Sequence, residues 1–425
     1  MTLNRRQILS RLGGGVAATA LLSLPAFAQS RAIRHFWWGN PERDRRTFEV
    51  IDIFKGNHPD IDISGETIGW GDYWTKMATQ TAGGNMADLV QMDYSFLFEY
   101  VRRGALKPLD AYIGNGLDVE SFDQAALAGG KVDGQLFALS IGSNSQVLAY
   151  NKRVFEAAGI EFNPTGWTRE DFARICGEIT EKTGVKGSED LSLQPESFEV
   201  WVRQNGRNIY TEDGELGVTA QDAAEYWSYW AALREAGYVE GPDSTVVLEK
   251  PMNELGIVKG NSAMAFRFSN QLVALQGLVT DTVGTAMYPM KSGGDFGQYV
   301  KPSMFLALTR DAKDIEAAVA YMNDWVNDPA SYKVLGLERG IPANPTARAQ
   351  LQPDFTPIEA ASVDYFNAIQ GKVGDLPLPA PKGAGEVRDA FMRIGTNVVL
   401  GNMSPQDAAE RYVGDAKAIL IRANR

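Results

Sequence analysis

Apart from its carboxylates, the sequence contains few side chains that could carry out chemistry. Its 425 residues include one cysteine, Cys176, and two histidines, His35 and His58. One thiol forms no internal disulfide, and so few thiols and imidazoles do not make a typical zinc site. The sequence contains neither a Gly-x-Ser-x-Gly nucleophile motif nor a P-loop. We therefore expect no catalytic residue, no metal and no cofactor, and no enzyme activity.

One enzymatic alternative stays open, because a glycosidase needs only two carboxylates and an acidic chain offers many. A secreted glycoside hydrolase or lyase is therefore the competing function of a different class. The test is whether the protein releases a bound sugar unchanged or cleaves it.

The charge balance argues against nucleic acid as a partner. The chain has 41 Lys and Arg residues against 53 Asp and Glu residues, a formal net charge of −12. Binding to phosphates needs a surplus of basic residues. The apolar share of 44% and the charged share of 22% are typical of a folded globular protein, and the length suits two or three domains.

The first 28 residues have the order of a secretory signal peptide: arginines without acids, an apolar middle, and small residues before a cleavage site. These features are Arg5, Arg6 and Arg11, then residues 12–24, then residues 26–28. Residues 4–9 resemble a twin-arginine export signal, with general secretion as the alternative. No later stretch reaches about 18 uninterrupted apolar residues. We therefore expect a soluble protein of the periplasm.

Strand and helix patterns alternate along the remaining chain. Residues 34–38 are typical of a strand, and Asn40-Pro41 of a helix start, because asparagine caps free N–H groups and proline fixes φ. Extended segments are predicted around the polar stretch 142–145, and residues 168–171 resemble a capping box. Such alternation builds parallel sheets. The predicted fold class is α/β, with two lobes and a border near Asn144.

Polar and aromatic residues follow the predicted strands, which is where open α/β sheets bind ligands. These strand ends are residues 38–40, 93–94, 143–144 and 267–270. The indole of Trp38 can stack on the apolar face of a sugar ring, although residues 36–38 could instead fill a core. The spacing of Trp227 and Trp230 favours a core role for both.

Short motifs occur in a fixed order over nearly the whole mature chain. They are residues 54–61, 73–84, 87–90, 104–110, 134–139, 150–152, 155–160, 260–266 and 340–342. In this order and spacing the chain resembles the family 1 extracellular solute-binding proteins of ABC importers, the group that includes the maltose-binding protein. It departs from the family pattern at Ala87, where proline is usual, and at residues 267–269, which replace a smaller turn.

The resemblance implies a type II periplasmic binding protein, in which two α/β lobes exchange segments around a hinge and a central ligand cleft. Residues 29–142 and 302–350 would form the N-terminal lobe, and residues 143–301 and 351–425 the C-terminal lobe. The implied function is a non-catalytic receptor that captures a carbohydrate, from a mono- to an oligosaccharide or a glycoside. Its implied partners are this sugar and the membrane permease subunits of an ABC transporter, and we expect a monomer.

The resemblance also implies ligand-binding residues on the walls of the cleft. Asp93 would accept hydrogen bonds from sugar hydroxyls, or only cap the next helix. Arg267 would suit a carboxylate, sulfonate or phosphate, so an anionic sugar derivative is an alternative ligand, and a structural salt bridge is an alternative role. The full predicted set is Trp38, Asn40, Arg43, Asp93, Tyr94, Asn144, Trp201, Arg267, Asn270 and Arg388.

Overall fold

The protein is a mixed α/β fold, as the alternation of patterns predicted. The computed structural model describes residues 31–122, 124–248, 250–369 and 371–424, so the predicted signal peptide, residues 1–28, lies outside the described residues. None of the helices in these ranges has both the length and the apolar character needed to cross a membrane.

The strands are short except for the sixth. They are β1 (Arg31–Trp38), β2 (Ile61–Ile68), β3 (Leu89–Met92), β4 (Lys131–Val132), β5 (Gln135–Leu136), β6 (Ala138–Asn151), β7 (Lys186–Ser188), β8 (Ser262–Phe268), β9 (Val283–Ala286) and β10 (Val300–Leu308).

Helices connect the strands and cover the faces of the sheet. They are α1 (Pro41–Asn57), α2 (Trp70–Ala82), α3 (Tyr94–Arg102), α4 (Gln124–Ala128), α5 (Lys152–Ala158), α6 (Arg169–Thr183), α7 (Pro195–Gln204), α8 (Ala220–Glu235), α9 (Pro242–Thr245), α10 (Gly256–Lys259), α11 (Leu272–Leu278), α12 (Ile315–Asn327), α13 (Pro329–Leu335), α14 (Pro345–Leu351), α15 (Pro357–Ile369), α16 (Ala384–Val399) and α17 (Pro405–Ala423). Short 3-10 helices lie at Asp110–Tyr112, Met252–Glu254, Ser269–Gln271 and Gln352–Asp354.

Strand β6 joins the two halves of the sheet, whose order is β2-β1-β3-β10-β6-β8-β7 with β9 also paired to β6. Strand β1 is parallel to β2 and β3, whereas β10 is antiparallel to β3 and β6. The first half of β6, up to Ser145, pairs with β10. The second half, from Gln146, pairs with β8 and then also with β9.

The polar stretch 142–145 continues β6 through the middle of the molecule. Its backbone pairs with β10 on one side. On the other side, Ser143 and Ile341 exchange two backbone hydrogen bonds of 2.7 and 3.0 Å. The sequence predicted extended segments around this stretch, and the stretch is itself extended because its N–H and C=O groups find partners on neighbouring segments.

Buried apolar side chains form separate clusters on the two sides of this crossing. The N-terminal core draws its members from residues 33–141 and 304–343. Two C-terminal cores draw theirs from residues 147–420 and cover opposite faces of β6. Leu148 belongs to one of them, and Val147 and Ala149 to the other, as expected for a strand whose side chains alternate.

The predicted helix starts are confirmed where the structure describes them. Asn40 is the N-cap of α1 and Pro41 is its first residue. Thr168 and Asp171 form a complete capping box at the start of α6. Trp227 and Trp230 lie in a C-terminal core, as their helical spacing predicted.

His35 is buried in the N-terminal core beside Tyr321 and Trp325. Its Nδ1 lies 3.2 Å from the hydroxyl of Tyr321, and its ring meets that of Trp325 edge-on. Burial, and after it the positive charge of Arg339, lowers the pKa of His35 to about 3. The imidazole is therefore neutral in the folded protein at pH values where it is protonated in the unfolded chain.

This difference predicts that His35 destabilises the fold as the pH decreases from about 6.5 toward 3. The unfolded chain binds one proton more than the folded chain in this window, so the contribution of His35 to the unfolding free energy falls by about 1.4 kcal/mol per pH unit. Chemical denaturation of the wild type and of His35→Gln at pH 6.5, 5.5 and 4.5 measures this effect. The variant should lose less stability on acidification, and parallel curves would contradict the assignment.

Candidate functional site

A cleft of about 1520 Å³ is lined by elements that pack on the N-terminal core and by elements that pack on the C-terminal cores. Strands β6 and β10 pass between these cores and contribute Asn144, Lys301 and Ser303 to the lining. We call these residues the floor of the cleft. The volume exceeds the roughly 300–1,000 Å³ of a typical small-molecule pocket, so a ligand would be accommodated together with water.

The floor is tightly packed around Asn144, which is 3% exposed. The Ser269 hydroxyl donates a hydrogen bond of 3.3 Å to Asn144 Oδ1. Gly340 has a φ of +103°, and a Cβ added there would lie 2.7 Å from the same oxygen. Only glycine fits at this position, because a side chain would be strained by its backbone conformation and would collide with Asn144.

The N-terminal wall of the cleft presents aromatic rings. Trp74 stacks on Phe96 with ring centroids 3.7 Å apart, and Trp70 meets Trp38 and Trp74 edge-on at 5.1 and 5.5 Å. Trp38 is buried and belongs to the N-terminal core, as its alternative role predicted, whereas Trp70, the first residue of α2, is 42% exposed. Because the neighbouring rings hold Trp70 in place, it presents a preorganised apolar surface to the cleft.

Asn40 and Asp93 follow β1 and β3 and cap the helices that come next. Asn40 Oδ1 accepts hydrogen bonds from the backbone N–H groups of Glu42 and Arg43, both at 3.0 Å. Asp93 Oδ1 accepts one from the N–H of Ser95 at 2.9 Å. The cap uses one oxygen of Asp93, so the carboxylate can cap α3 and still accept a ligand hydroxyl through the other.

Arg43 lines the cleft but is already paired within the wall. Its Nε and Nη2 each lie 2.9 Å from Glu338 Oε1. The adjacent Arg339 donates to the side chains of Gln91 and Thr47 at 3.2 and 2.7 Å. Burial alone would raise the pKa of Glu338, but the charges of Arg43 and Arg339 hold it below its usual value. Glu338 is therefore an ionised carboxylate that two buried guanidinium groups share as their counter-charge.

The C-terminal wall carries two carboxylates from the same helix, α7, in different environments. Arg388 donates a hydrogen bond of 2.7 Å to Glu196. Burial acts to raise the pKa of Glu196, but Arg388 outweighs it and the pKa is lowered. The hydroxyl of Tyr299 donates to Glu199, where burial prevails and the pKa is raised.

Eight of the ten residues predicted for ligand binding line this cleft, and their binding role stays a prediction. They come from five separate stretches of chain, which only the folded molecule brings together. They are Trp38, Asn40, Arg43, Asp93, Tyr94, Asn144, Asn270 and Arg388.

Trp201 and Arg267 do not line the cleft. Arg267 forms an ion pair with Glu189, with contacts of 3.0 and 3.1 Å, so the salt bridge that competed with the ligand role is the one present. Trp201 packs in a C-terminal core, where the guanidinium of Arg169 lies 3.2 Å from its ring centroid.

Several cleft residues were missed from the sequence. Trp70 follows the end of β2, so the strand-end rule applied to the other candidates would have found it. The strand-end rule does not apply to three other residues of the lining, namely Glu196, Glu199 and Tyr299. The two glutamates lie within a helix, and Tyr299 lies just before a strand, so their approach to the cleft depends on packing between distant segments.

The charges in the cleft lining are balanced. Among the described residues that line it, seven are acidic and seven are basic. The acidic ones are Glu42, Asp93, Glu99, Glu196, Glu199, Glu338 and Glu359, and the basic ones are Arg43, Arg46, Arg102, Arg103, Lys301, Lys382 and Arg388. Within the described ranges, no three or more His, Cys, Asp or Glu side chains are grouped to hold a metal ion.

Comparison with known proteins identifies relatives over most of the chain. A family model described as bacterial extracellular solute-binding protein matches residues 45–333. A curated binding protein of Brucella abortus is 27% identical over 199 residues, which cover 45% of this chain and 47% of that protein. The chain thus spans about half the length of these first curated relatives. The erythritol/L-threitol-binding protein of Mycolicibacterium smegmatis is 22% identical over 432 residues, covering 88% of this chain and 87% of that protein.

Solved structures resemble the whole described fold. A family 1 extracellular solute-binding protein from Alicyclobacillus acidocaldarius has a TM-score of 0.73 and 28% identity, covering 92% of this chain and 98% of that one. A periplasmic oligogalacturonide-binding protein from Yersinia enterocolitica has a TM-score of 0.82 and 20% identity, covering 93% of this chain and 100% of that one. At this lower identity the likeness concerns the fold alone.

The buried pairing of Arg43 with Glu338 predicts a large stability effect. Replacing Glu338 with Gln leaves two guanidinium groups without a buried counter-charge, so the unfolding free energy should fall by about 3 kcal/mol. The control is Glu178→Gln, which removes a partner of Arg174 on the exposed face of α6 and should cost far less. Urea denaturation compares the two variants, and equal losses would contradict the role assigned to Glu338.

Proposed function

The chain belongs to the bacterial extracellular solute-binding proteins, as its motifs predicted, and we propose that it captures a carbohydrate in the cleft and releases it unchanged to an ABC transporter. The proposed ligand is a mono- to oligosaccharide, a glycoside or a related polyol. The proposed location is the periplasm, in keeping with the predicted signal peptide at residues 1–28. The receptor itself is proposed to be non-catalytic.

The observation that carries this proposal is the combination of an exposed tryptophan and hydrogen-bonding side chains in one cleft of balanced charge. Sugar rings have apolar C–H faces and polar hydroxyl edges. The exposed face of Trp70 suits the first, and the carboxylates of Asp93 and Glu199 suit the second. A cleft that recognised ligands chiefly through an ionic group would carry a surplus of the opposite charge.

In this proposal the two lobes close over the sugar around β6 and β10. The lobes would comprise residues 29–142 with 302–350 and residues 143–301 with 351–425. A ligand that touches both walls binds the closed state better than the open state and so shifts the population toward closure. The permease subunits would then recognise the closed, loaded form.

The names of relatives support a polyhydroxy ligand. One curated relative binds erythritol and L-threitol, which are uncharged polyols, whereas a protein of similar fold binds oligogalacturonide, whose sugar units carry carboxylates. The alternative of an anionic sugar derivative loses the residue that motivated it, because the guanidinium of Arg267 is paired with Glu189. Charge balance in the lining also favours an uncharged ligand.

We expect saturable binding of at least one carbohydrate to the purified mature protein. A thermal-shift screen of polyols, mono- to tetrasaccharides and sugar acids would identify it, since a ligand that binds only the folded state raises the melting temperature. Calorimetry then gives the affinity, and mass spectrometry of the recovered ligand tests whether it is intact. Cleaved or eliminated product would establish a glycoside hydrolase or lyase instead, and the absence of binding across the screen would refute the proposal.

Removing the indole of Trp70 should weaken sugar binding. Stacking on the exposed face buries roughly 50 Å² of apolar surface, so Trp70→Ala should raise the Kd about tenfold. Leu400→Ala, which shortens an exposed apolar side chain outside the cleft, is the control and should leave the Kd unchanged. Titration calorimetry on both variants measures the difference, and equal affinities would exclude Trp70 as a ligand contact.

A further inference from the structure

Glu199 differs from Glu196, its neighbour on the C-terminal wall, because it has no cationic partner within ion-pair distance. It lines the cleft from α7, and the hydroxyl of Tyr299 donates a hydrogen bond to it. Across the described part of the chain, no basic side chain lies within ion-pair distance of Glu199. Its neighbour Glu196, by contrast, is paired with Arg388.

The carboxylate of Glu199 retains capacity to accept hydrogen bonds. An ionised carboxylate has about four acceptor positions on its two oxygens, and Tyr299 uses one of them. Lys301 and Arg203 attract the negative charge from a greater distance, and Glu196 repels it. An acceptor of this kind, half-buried in a cleft, is well suited to a neutral hydroxyl donor and poorly suited to a second anion.

The charge of Glu199 also acts on the opposite wall. Tyr94 belongs to α3, on the N-terminal wall, and its hydroxyl lies 3.4 Å from the backbone carbonyl oxygen of Pro377. Burial, and after it Glu199, raises the pKa of Tyr94 to about 12. Tyr94 and Glu199 thus line the same cleft from opposite walls.

Tyr210 adds to the same surface. It lines the cleft, and its hydroxyl lies 3.5 Å from the backbone carbonyl oxygen of Ala384. The carbonyl oxygens of Pro377 and Ala384, the tyrosine hydroxyls and Glu199 together make this part of the cleft rich in acceptors. A ligand with several hydroxyl groups complements such a surface, whereas a ligand carboxylate beside Glu199 is repelled by its charge, although Lys301 on the floor attracts it.

We propose that Glu199 accepts hydrogen bonds from ligand hydroxyl groups and so selects uncharged polyhydroxy ligands over sugar acids. This inference rests on the proposed function. It adds that the ligand is uncharged and that Glu199 is the residue that sets this preference. It predicts that the wild type binds neutral sugars or polyols more tightly than the corresponding uronates.

The test compares Glu199→Gln with the wild type by titration calorimetry. The probes are glucose, galactose, maltose and erythritol, with glucuronate and galacturonate as acidic counterparts. Glutamine keeps an oxygen for Tyr299 but removes the charge, so affinity for the best neutral probe should fall about tenfold to a hundredfold. The preference for a neutral sugar over its uronate should fall by a similar factor.

Two further measurements separate a ligand role from a structural one. The melting temperature of ligand-free Glu199→Gln should equal or exceed that of the wild type, because the substitution removes a partly desolvated charge. The matched control is Glu225→Gln on the exposed face of α8, where the carboxylate contacts Gln221, and its affinities should be those of the wild type.

Each remaining outcome distinguishes this inference from the proposed function. A wild type that binds neutral sugars, with unchanged affinity in Glu199→Gln, would overturn the role of Glu199 and leave the proposed function standing. A wild type that prefers a uronate would overturn the selectivity alone. A wild type that binds none of these probes and no carbohydrate of the wider screen would overturn both.

Discussion

The backbone pairing of β6 with strands on both sides of the molecule is the constraint on which the rest of the structure depends. Fourteen residues run from the N-terminal core to the C-terminal cores without leaving the extended conformation. Strand β10 accompanies the first half, and Ile341 pairs with the middle. Because the cores are joined through these few segments, the space between them remains a cleft, and the polar residues at the crossing become its floor.

Ion pairs within the walls of the cleft keep the walls polar without giving them a large net charge. Arg43 is neutralised by Glu338 and Arg388 by Glu196, so these guanidinium groups shape the walls while offering little free charge. The aromatic rings around Trp70 are fixed by one another in a similar way. A ligand then meets side chains whose positions are already set, which reduces the entropy lost on binding.

Local sequence patterns predicted the starts of helices correctly, because a helix start depends on one short stretch of chain. The cap at Asn40 and the capping box at Thr168 depend on neighbours within three residues, and both are present. The strand-end rule led to Trp38 and Asp93, since parallel strands bring their ends to one edge of a sheet. It was wrong about Asn144, which lines the cleft from the middle of the antiparallel strand β6. The rule failed at Arg267, because its partner Glu189 lies 78 residues away and no local pattern shows the pairing.

The sequence by itself determined the α/β class, the helix starts and the family. These properties follow from periodicity, capping and short motifs, which act over a few residues. Only the tertiary structure decided which charges are free. Glu196 and Glu199 lie on the same helix three residues apart, yet Arg388 forms an ion pair with one, whereas the hydroxyl of Tyr299 donates a hydrogen bond to the other. The physical reason is that the ionisation and availability of a side chain depend on burial and on partners that distant segments supply through packing.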